Sequence, residues 1–321
     1  MKALITGIDG FVGGHLARFL LGQSDIKLFG TTFGPAENYR GLAEVGIAVH
    51  QIDLTDEAAV ASLLGDIRPD QIYHLAAQSI PPISYQNPWA TLQNNIHSQL
   101  NVLHSVAQAG LSTRVLVVGS AEEYGQVSPG EVPINEQQPL RPTSPYSVSK
   151  VAQDMLGLQY FLSHHVAAVR VRPFNHTGPG QNPSFVVPAF ASQIAEIEKD
   201  SRPPIIDVGN LEARRDITDV RDMVRAYWML LNRGDAGEVY NIGRGVAHSI
   251  QEVLDTLLGL SNKAIEIRID PSRLRPVDSP IVVCDTGRIH ATTGWKATIP
   301  IEQTLADVLN DWRARLGIPV N

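Results

Sequence analysis

Hydrophobic residues in this chain gather into short unbroken runs separated by stretches of helical period. The runs Ala3-Leu4-Ile5-Thr6, Lys27 to Thr31, Val49 to Leu54, Gln71 to Leu75, Arg114 to Val118 and Ala167 to Arg172 predict strands. After the first run, Phe11, His15, Leu16, Phe19 and Leu20 recur at helical spacing; Leu92 to Ala109 and Pro145 to about His164 predict long helices. Strand, helix and strand in that order build a parallel sheet, so the first half predicts an α/β fold. Pro173 to Gly180 is too rich in turn formers for helix or strand. Beyond it the alternation loosens. Phe185 to Lys199 and Val220 to Leu231 predict helices, Pro204 to Val208 and Glu238 to Ile242 strands. Ser249 with Glu252 makes a capping box for a helix over Ile250 to Leu260, and the last helix covers about Ile301 to Leu316.

Composition narrows the class. The 321 residues, 43% hydrophobic, are ample for a large core. The net charge of -7 is spread without like-charge runs or a basic stripe, which argues against nucleic acid or an anionic membrane as partner. An anionic ligand must then be held by a few placed cations. Cys284 is the only cysteine, so neither an intramolecular disulfide nor a cysteine metal cluster forms, and a reducing cytoplasm is expected. The chain opens directly on a strand-like run, so no signal peptide is expected, and no apolar run reaches membrane-spanning length. No metal site is expected.

Chemistry enters at the strand ends. Gly7, Gly10 and Gly13 stand between the first strand and first helix, where glycines let backbone approach a pyrophosphate and the helix terminus offers free amides. This predicts dinucleotide binding. The adenosine ribose is read at the end of the second strand, where Gly30, Thr31, Thr32 and Phe33 include no carboxylate to select NAD, and the nearest arginine is Arg40. NADP or NAD stays open. Asp53 reads either as a contact to adenine or, like Thr55, as a cap for the next helix. The small residues Ala76-Ala77-Gln78-Ser79 suit a ribose lying on backbone, or simply tight packing. Gly119-Ser120 ends the fifth strand at the sheet edge where ligands bind.

Ser144-Pro145 is a helix-start signal that places Tyr146 in the first turn and Lys150 one turn later on the same face. An ammonium beside a phenol favours phenolate, so this spacing predicts a lowered Tyr146 pKa and a usable proton donor. Alone, such a pair also reads as an ordinary solvated one, and Arg215-Asp216 as a surface ion pair.

Taken together, Gly7-x-x-Gly10-x-x-Gly13, His74-Leu75-Ala76-Ala77, Gly119-Ser120 and Tyr146-x-x-x-Lys150 resemble the extended short-chain dehydrogenase/reductase family, nucleotide-sugar branch, across essentially the whole chain. More narrowly, Ser120-Ala121-Glu122-Glu123-Tyr124-Gly125, Arg172-Pro173-Phe174-Asn175-His176, Gly209-Asn210-Leu211-Glu212, Arg215 to Asp222 and Leu274-Arg275-Pro276 are similar to the GDP-4-keto-6-deoxy-D-mannose reductases and their relatives, the GDP-mannose 4,6-dehydratases. The resemblance implies a Rossmann-type doubly wound parallel sheet over 1–173, with 217–247 returning to it, and a smaller α/β lobe for the nucleotide sugar over 174–216 and 248–321. It implies Tyr146 as proton donor, Lys150 on the nicotinamide ribose and Ser120 on the sugar ketone. The implied cofactor site, for NADP(H) or NAD(H), is Gly7, Gly10, Phe11, Val12, Gly13, Thr31, Asp53, Leu54, Leu75, Ala76, Ala77, Tyr146 and Lys150. Asn175, Val186, Arg215 and Arg275 match positions that hold the GDP-sugar, together with Ser120 and Glu122. A homodimer through a four-helix bundle of the two long helices is implied as well.

One departure separates the branches. Typical sugar dehydratases carry an acidic residue and then a glutamate after the serine or threonine, to expel the C6 hydroxyl and take the C5 proton; here those places hold Ala121 and Glu122. Alanine donates no proton. The GDP-mannose dehydratases have serine there and keep the glutamate, so Glu122 keeps a dehydratase in view beside the expected reductase. A third expectation, a non-catalytic dinucleotide sensor, conflicts with the joint presence of Ser120, Tyr146 and Lys150.

Overall fold

The computed structural model describes residues 1–35, 40–273 and 279–319. In chain order the first half runs β1 (Lys2–Thr6), α1 (Phe11–Leu21), β2 (Lys27–Thr32), α2 (Arg40–Glu44), β3 (Ala48–Gln51), α3 (Glu57–Ile67), β4 (Gln71–His74), α4 (Pro81–Gln86), α5 (Pro88–Gln108), β5 (Arg114–Val118), α6 (Pro145–His164) and β6 (Ala167–Pro173). The second half continues with β7 (Asn175–Thr177), α7 (Val186–Glu198), β8 (Ile205–Val208), β9 (Arg214–Asp219), α8 (Val220–Arg233), β10 (Val239–Ile242), β11 (Ala247–Ser249), α9 (Ile250–Gly259), β12 (Glu266–Ile269), β13 (Ile281–Val282), α10 (Gly287–Thr293) and α11 (Ile301–Arg315).

Seven parallel strands form the main sheet in the order β10-β6-β5-β4-β1-β2-β3. The order reverses between β1 and β4, so a crevice opens at the carboxyl ends of these two strands, where such sheets take their ligands. Helices cover both faces: α1 and α8 with Leu16, Leu20, Met223 and Tyr227 on one, α3 and α5 with Leu64, Val102 and Leu103 on the other. Strands buried on both sides read as continuous apolar runs, which is why they were legible.

A second core gathers Phe190, Ile194, Ile206, Ile217, Leu254, Leu257, Leu305 and Leu309 from α7, β8, β9, α9 and α11. Three aspartates in and just after β9 tie this region to its neighbours. Asp216 accepts from the backbone amides of Arg244 (2.7 Å), Gly245 (2.8 Å) and Cys284 (3.1 Å). Asp219 accepts from Thr304 Oγ1 at 2.7 Å, and Asp222 from the amides of Thr298 (2.7 Å) and Ile299 (2.8 Å).

The segment Pro173 to Gly180 differs from the expected loop, because Asn175–Thr177 pairs in parallel with Ile217, Thr218 and Asp219 of β9. Strand β3 stops at Gln51, which puts Asp53 and Leu54 in the turn beyond it. Helix α5 starts earlier than Leu92, at Pro88, capped by Asn87 Oδ1, which accepts from Ala90 N at 3.1 Å. Among the described residues no helix is long and apolar enough to cross a membrane, and no group of three or more His, Cys, Asp or Glu is placed to hold a metal ion.

Candidate active site

The turn after β1 is built by steric exclusion. Gly7 adopts φ +67°, and a Cβ there would stand 3.0 Å from Ala76 Cα. At Gly13 a Cβ would run into the Gly7 carbonyl, so α1 can approach β1 this closely only without a side chain. Helix α1 begins after Gly10 with no side-chain cap and no acidic residue in its first turn. Its first amides and positive dipole end therefore face the crevice, a cradle suited to a pyrophosphate. Phe11 has a packing role too: its ring lies 5.4 Å from His15 and 6.3 Å from His176. Val12 packs partly buried against the main core.

At the end of β2, Thr31 is buried and its carbonyl accepts from Ile8 N at 3.0 Å. The absence of a carboxylate between Gly30 and Phe33 is made good from elsewhere: Thr32 Oγ1 donates to Asp9, inside the glycine turn. The end of β2 therefore does have an acid beside it, which the strand-end sequence did not reveal. The side chain of Arg40 lies outside the described residues. Asp53 does not cap α3; it accepts from Thr55 N (2.9 Å) and Thr55 Oγ1 (2.7 Å), while Asp56 caps the helix through Ala59 N at 3.1 Å. Leu54 is buried next to it.

Thr6 Oγ1 accepts from the amides of Leu75 (3.1 Å) and Ala76 (3.2 Å), so its own proton goes to His74 Nδ1 at 2.9 Å. His74 is accordingly neutral, with burial first and the Lys150 charge second lowering its pKa to about 3. These bonds shape the Leu75-Ala76-Ala77 shelf facing Gly7.

Next to the shelf stand Ser120, Tyr146 and Lys150. Ser120 Oγ accepts from Glu122 N at 3.1 Å, starting the short helical turn Ala121–Tyr124. Ser144 caps α6 through Ser147 N at 3.0 Å, and Pro145 occupies the first turn, where its missing N–H costs nothing. Tyr146 and Lys150 therefore share a helix face, as their spacing predicts. The Tyr146 and Ser120 side chains are hydrogen-bonded to each other. Lys150 Nζ donates to Val118 O at 2.9 Å and lies 5.9 Å from the centre of the Tyr146 ring.

The electrostatics differ from the expected lowering of Tyr146. Burial raises the Tyr146 phenol above its ordinary value of 10.0, the bond to Ser120 draws it down, and the charges of Glu122 and Glu123 raise it further. Lys150 takes the shift instead: burial brings its ammonium down to about 8, with Glu123 pulling upward. A buried phenol is harder to ionise than an exposed one, and the ammonium is directed at a carbonyl rather than at the phenol oxygen.

Asn175 lies on the exposed side of β7, directly after β6, and Val186, 40% exposed, opens α7. Arg215 does not pair with Asp216. Its Nη1 donates to the carbonyls of Arg214 (2.9 Å) and Ser279 (2.8 Å), and the strand's alternation sends Asp216 to the opposite face. Arg275 lies outside the described residues.

Behind this site runs a buried ionic layer that sequence reasoning missed. Asp154, one turn beyond Lys150, accepts from Arg170 Nη1 at 2.9 Å and from Arg172 Nε at 3.0 Å. Glu123 lies 3.2 Å from Arg172 Nε and also accepts from Ser120 N at 2.7 Å. A signal was present: Tyr146, Lys150 and Asp154 recur every fourth residue, and Arg170 and Arg172 occupy alternate positions of an apolar strand.

A family model for GDP-mannose 4,6 dehydratase matches residues 4–308 of this chain. The chain belongs to the GDP-mannose 4,6 dehydratase family. Within it, a protein of Pseudomonas aeruginosa named GDP-6-deoxy-D-mannose reductase is 35% identical over 98% of both chains. A GDP-mannose 4,6-dehydratase of Vibrio cholerae is 27% identical, covering 96% of this chain and 92% of that protein. Among solved structures, RMD from Pseudomonas aeruginosa complexed with NADPH has a TM-score of 0.86 at 34% identity, covering 98% of this chain and 99% of that one. UDP-glucose 4-epimerase of Thermus thermophilus, in complex with NAD, superposes with a TM-score of 0.85 at 27% identity, over 98% and 99% of the two chains. The glycine cradle, the Ser120–Tyr146 hydrogen bond and the Lys150 face are thus set in a family frame that spans almost the whole chain.

Proposed function

We propose that this protein reduces the C4 ketone of GDP-4-keto-6-deoxy-D-mannose with NADPH or NADH, giving GDP-D-rhamnose (GDP-6-deoxy-D-mannose). The observation that carries the reading is the turn after Ser120, where Ala121, with no proton to donate, stands in the place that holds an acid in typical sugar dehydratases and serine in the GDP-mannose dehydratases. The 35% identity to a relative named as the reductase supports it. The residues present fit a dinucleotide, because the Gly7 and Gly13 positions leave room only for bare backbone around the α1 terminus. The reduced nicotinamide supplies a hydride to C4. The chain supplies the rest: Ser120 donates a hydrogen bond to the ketone oxygen, and Tyr146 gives its proton to the alkoxide that forms there. The Lys150 ammonium lowers the cost of the phenolate left behind. Asn175, Val186 and Arg215, with Arg275, are proposed to hold the nucleotide diphosphate, which guanidinium forks suit.

With NADPH and the 4-keto sugar supplied, the product should show the rhamno configuration at C4 in its proton NMR spectrum. The talo epimer would mean that the opposite face of the ketone meets the hydride.

A dehydratase is the second reading, favoured by Glu122, whose charge acts on Tyr146. It would require Glu122 to take the C5 proton, with no side-chain acid at Ala121.

Both cofactors are proposed to serve. The Asp9 carboxylate at the end of β2 repels a 2′-phosphate, so Asp9→Asn should move the ratio of kcat/KM values toward NADPH by about tenfold. An unchanged ratio would place the ribose reader elsewhere.

We further infer a cytoplasmic homodimer. The exposed Trp89 (76%), Tyr85 (60%), Leu162 (64%) and Val148 (44%) on α4, α5 and α6 support a helical interface. Light scattering should give twice the chain mass of 35.0 kDa, and a monomer would remove the idea.

A further inference from the structure

Glu123 is a carboxylate with 0% exposure one residue beyond Glu122, and the proposed chemistry makes no use of it. Burying an ionisable group is costly unless its partners compensate, and here the surroundings are shaped around it. Its Oε1 accepts from Ser120 N at 2.7 Å, fixing the residue whose hydroxyl bonds to Tyr146. Gly119 has no Cβ where one would overlap the same carboxylate oxygen. The other oxygen, Oε2, lies 3.2 Å from Arg172 Nε without a hydrogen bond of its own, because that N–H is already donated to Asp154 at 3.0 Å. Arg172 also donates to Tyr124 Oη at 3.0 Å and to Glu136 O at 3.3 Å. The group is therefore held by Ser120 on one side and by a guanidinium committed elsewhere on the other, and burial first, with the Asp154 charge second, pushes its pKa up to about 8, so it ionises over the same pH range in which Lys150 loses its proton.

We propose that Glu123 is a positioning residue for proton transfer: its carboxyl group fixes Ser120 through the backbone and, once ionised, sets a negative charge behind Lys150 and Tyr146. The charged and titratable groups facing it are Lys150, Tyr146 and Asp154 from α6 and Arg172 from β6. In the alkaline range, where Glu123 ionises, its negative charge raises Lys150, which burial has brought down to about 8, and raises Tyr146. Removing the charge therefore moves both groups in one direction, downward. The ammonium that supports reduction is then lost at lower pH, and the alkaline limb of turnover shifts toward acid. The kinetic arm of this inference rests on the reductase reading; the charge arm does not.

The test compares Glu123→Gln, which keeps size and an acceptor for Ser120 N but loses charge, with Glu123→Asp, which keeps charge but is one methylene short. Protein labelled with ε-13C lysine is titrated by NMR, and Lys150→Arg assigns the Lys150 signal by its disappearance. In Glu123→Gln the Lys150 midpoint should fall by about half a unit or more, with the alkaline limb of kcat following it and KM for the GDP-sugar within about twofold. Glu123→Asp should leave the Lys150 midpoint in place and lower kcat by about tenfold, through loss of the hold on Ser120. A wild-type Lys150 titration in the Gln variant overturns the charge role, and wild-type kcat in the Asp variant overturns the positioning role. The NMR titration needs no substrate. Wild-type protein that titrates as expected yet leaves the ketone untouched would defeat the reductase reading without touching this one.

Discussion

Turnover in Tyr146→Phe should fall by about 100- to 10,000-fold while NADPH binds within about twofold of wild type. The substitution removes one oxygen from a ring that stays packed at 8% exposure, so the fold has little reason to respond. What is lost is the hydroxyl hydrogen-bonded to Ser120, on the phenol that shares the Lys150 face of α6. The raised pKa of Tyr146 keeps the phenol protonated, so its proton is in place before hydride arrives, while the phenolate left after transfer is costlier than an exposed one. Stopped-flow turnover together with cofactor fluorescence separates the two effects. A variant keeping more than about a tenth of wild-type kcat would remove Tyr146 as the proton donor.

Asp154→Ala should destabilise the protein by about 3–5 kcal/mol, and lower its melting temperature by on the order of 10 °C, because it strands two buried guanidiniums at once. Arg170 and Arg172 donate to opposite oxygens of Asp154, with Arg170 Nη1 at 2.9 Å and Arg172 Nε at 3.0 Å, and all three residues are buried. Glu123 stands near enough to Arg172 to offset part of the loss, at the expense of its hold on Ser120. Thermal unfolding followed by circular dichroism reads this directly. A drop of less than about 1 kcal/mol would mean that water or rearranged neighbours solvate the arginines, and that the layer is not a closed network.

The strands and helices that read correctly are those whose pattern is local. Each central strand is an apolar run buried on both sides, and α6 carries its own start signal in Ser144-Pro145. The short strand Asn175–Thr177 went unseen because it exists only by pairing with Arg214–Asp219, far along the chain. The same limit applied at the site. Ser120, Tyr146 and Lys150 are recognisable from spacing, since a helix turn or a strand end places each of them. Asp9 at the β2 edge and Glu123 under Ser120 are not, because one carboxylate meets Thr32 and the other meets the Ser120 amide only when the fold closes around them. The direction of the Tyr146 shift failed for a related reason: a Tyr–Lys spacing carries no information on burial, and burial is the largest cause acting on both groups.

The central claim is that the site consumes reduced cofactor at a ketone and lacks the acid needed to make that ketone. Ala121 and Glu122 occupy the two positions that decide it. The most direct measurement gives the purified protein GDP-D-mannose with oxidised cofactor in one vessel and GDP-4-keto-6-deoxy-D-mannose with NADPH in another, and follows absorbance at the nicotinamide band alongside sugar analysis. The account predicts unchanged GDP-D-mannose in the first and one NADPH oxidised per ketone reduced in the second. Appearance of the 4-keto sugar in the first vessel, abolished in Glu122→Gln, would contradict it and make the protein a dehydratase.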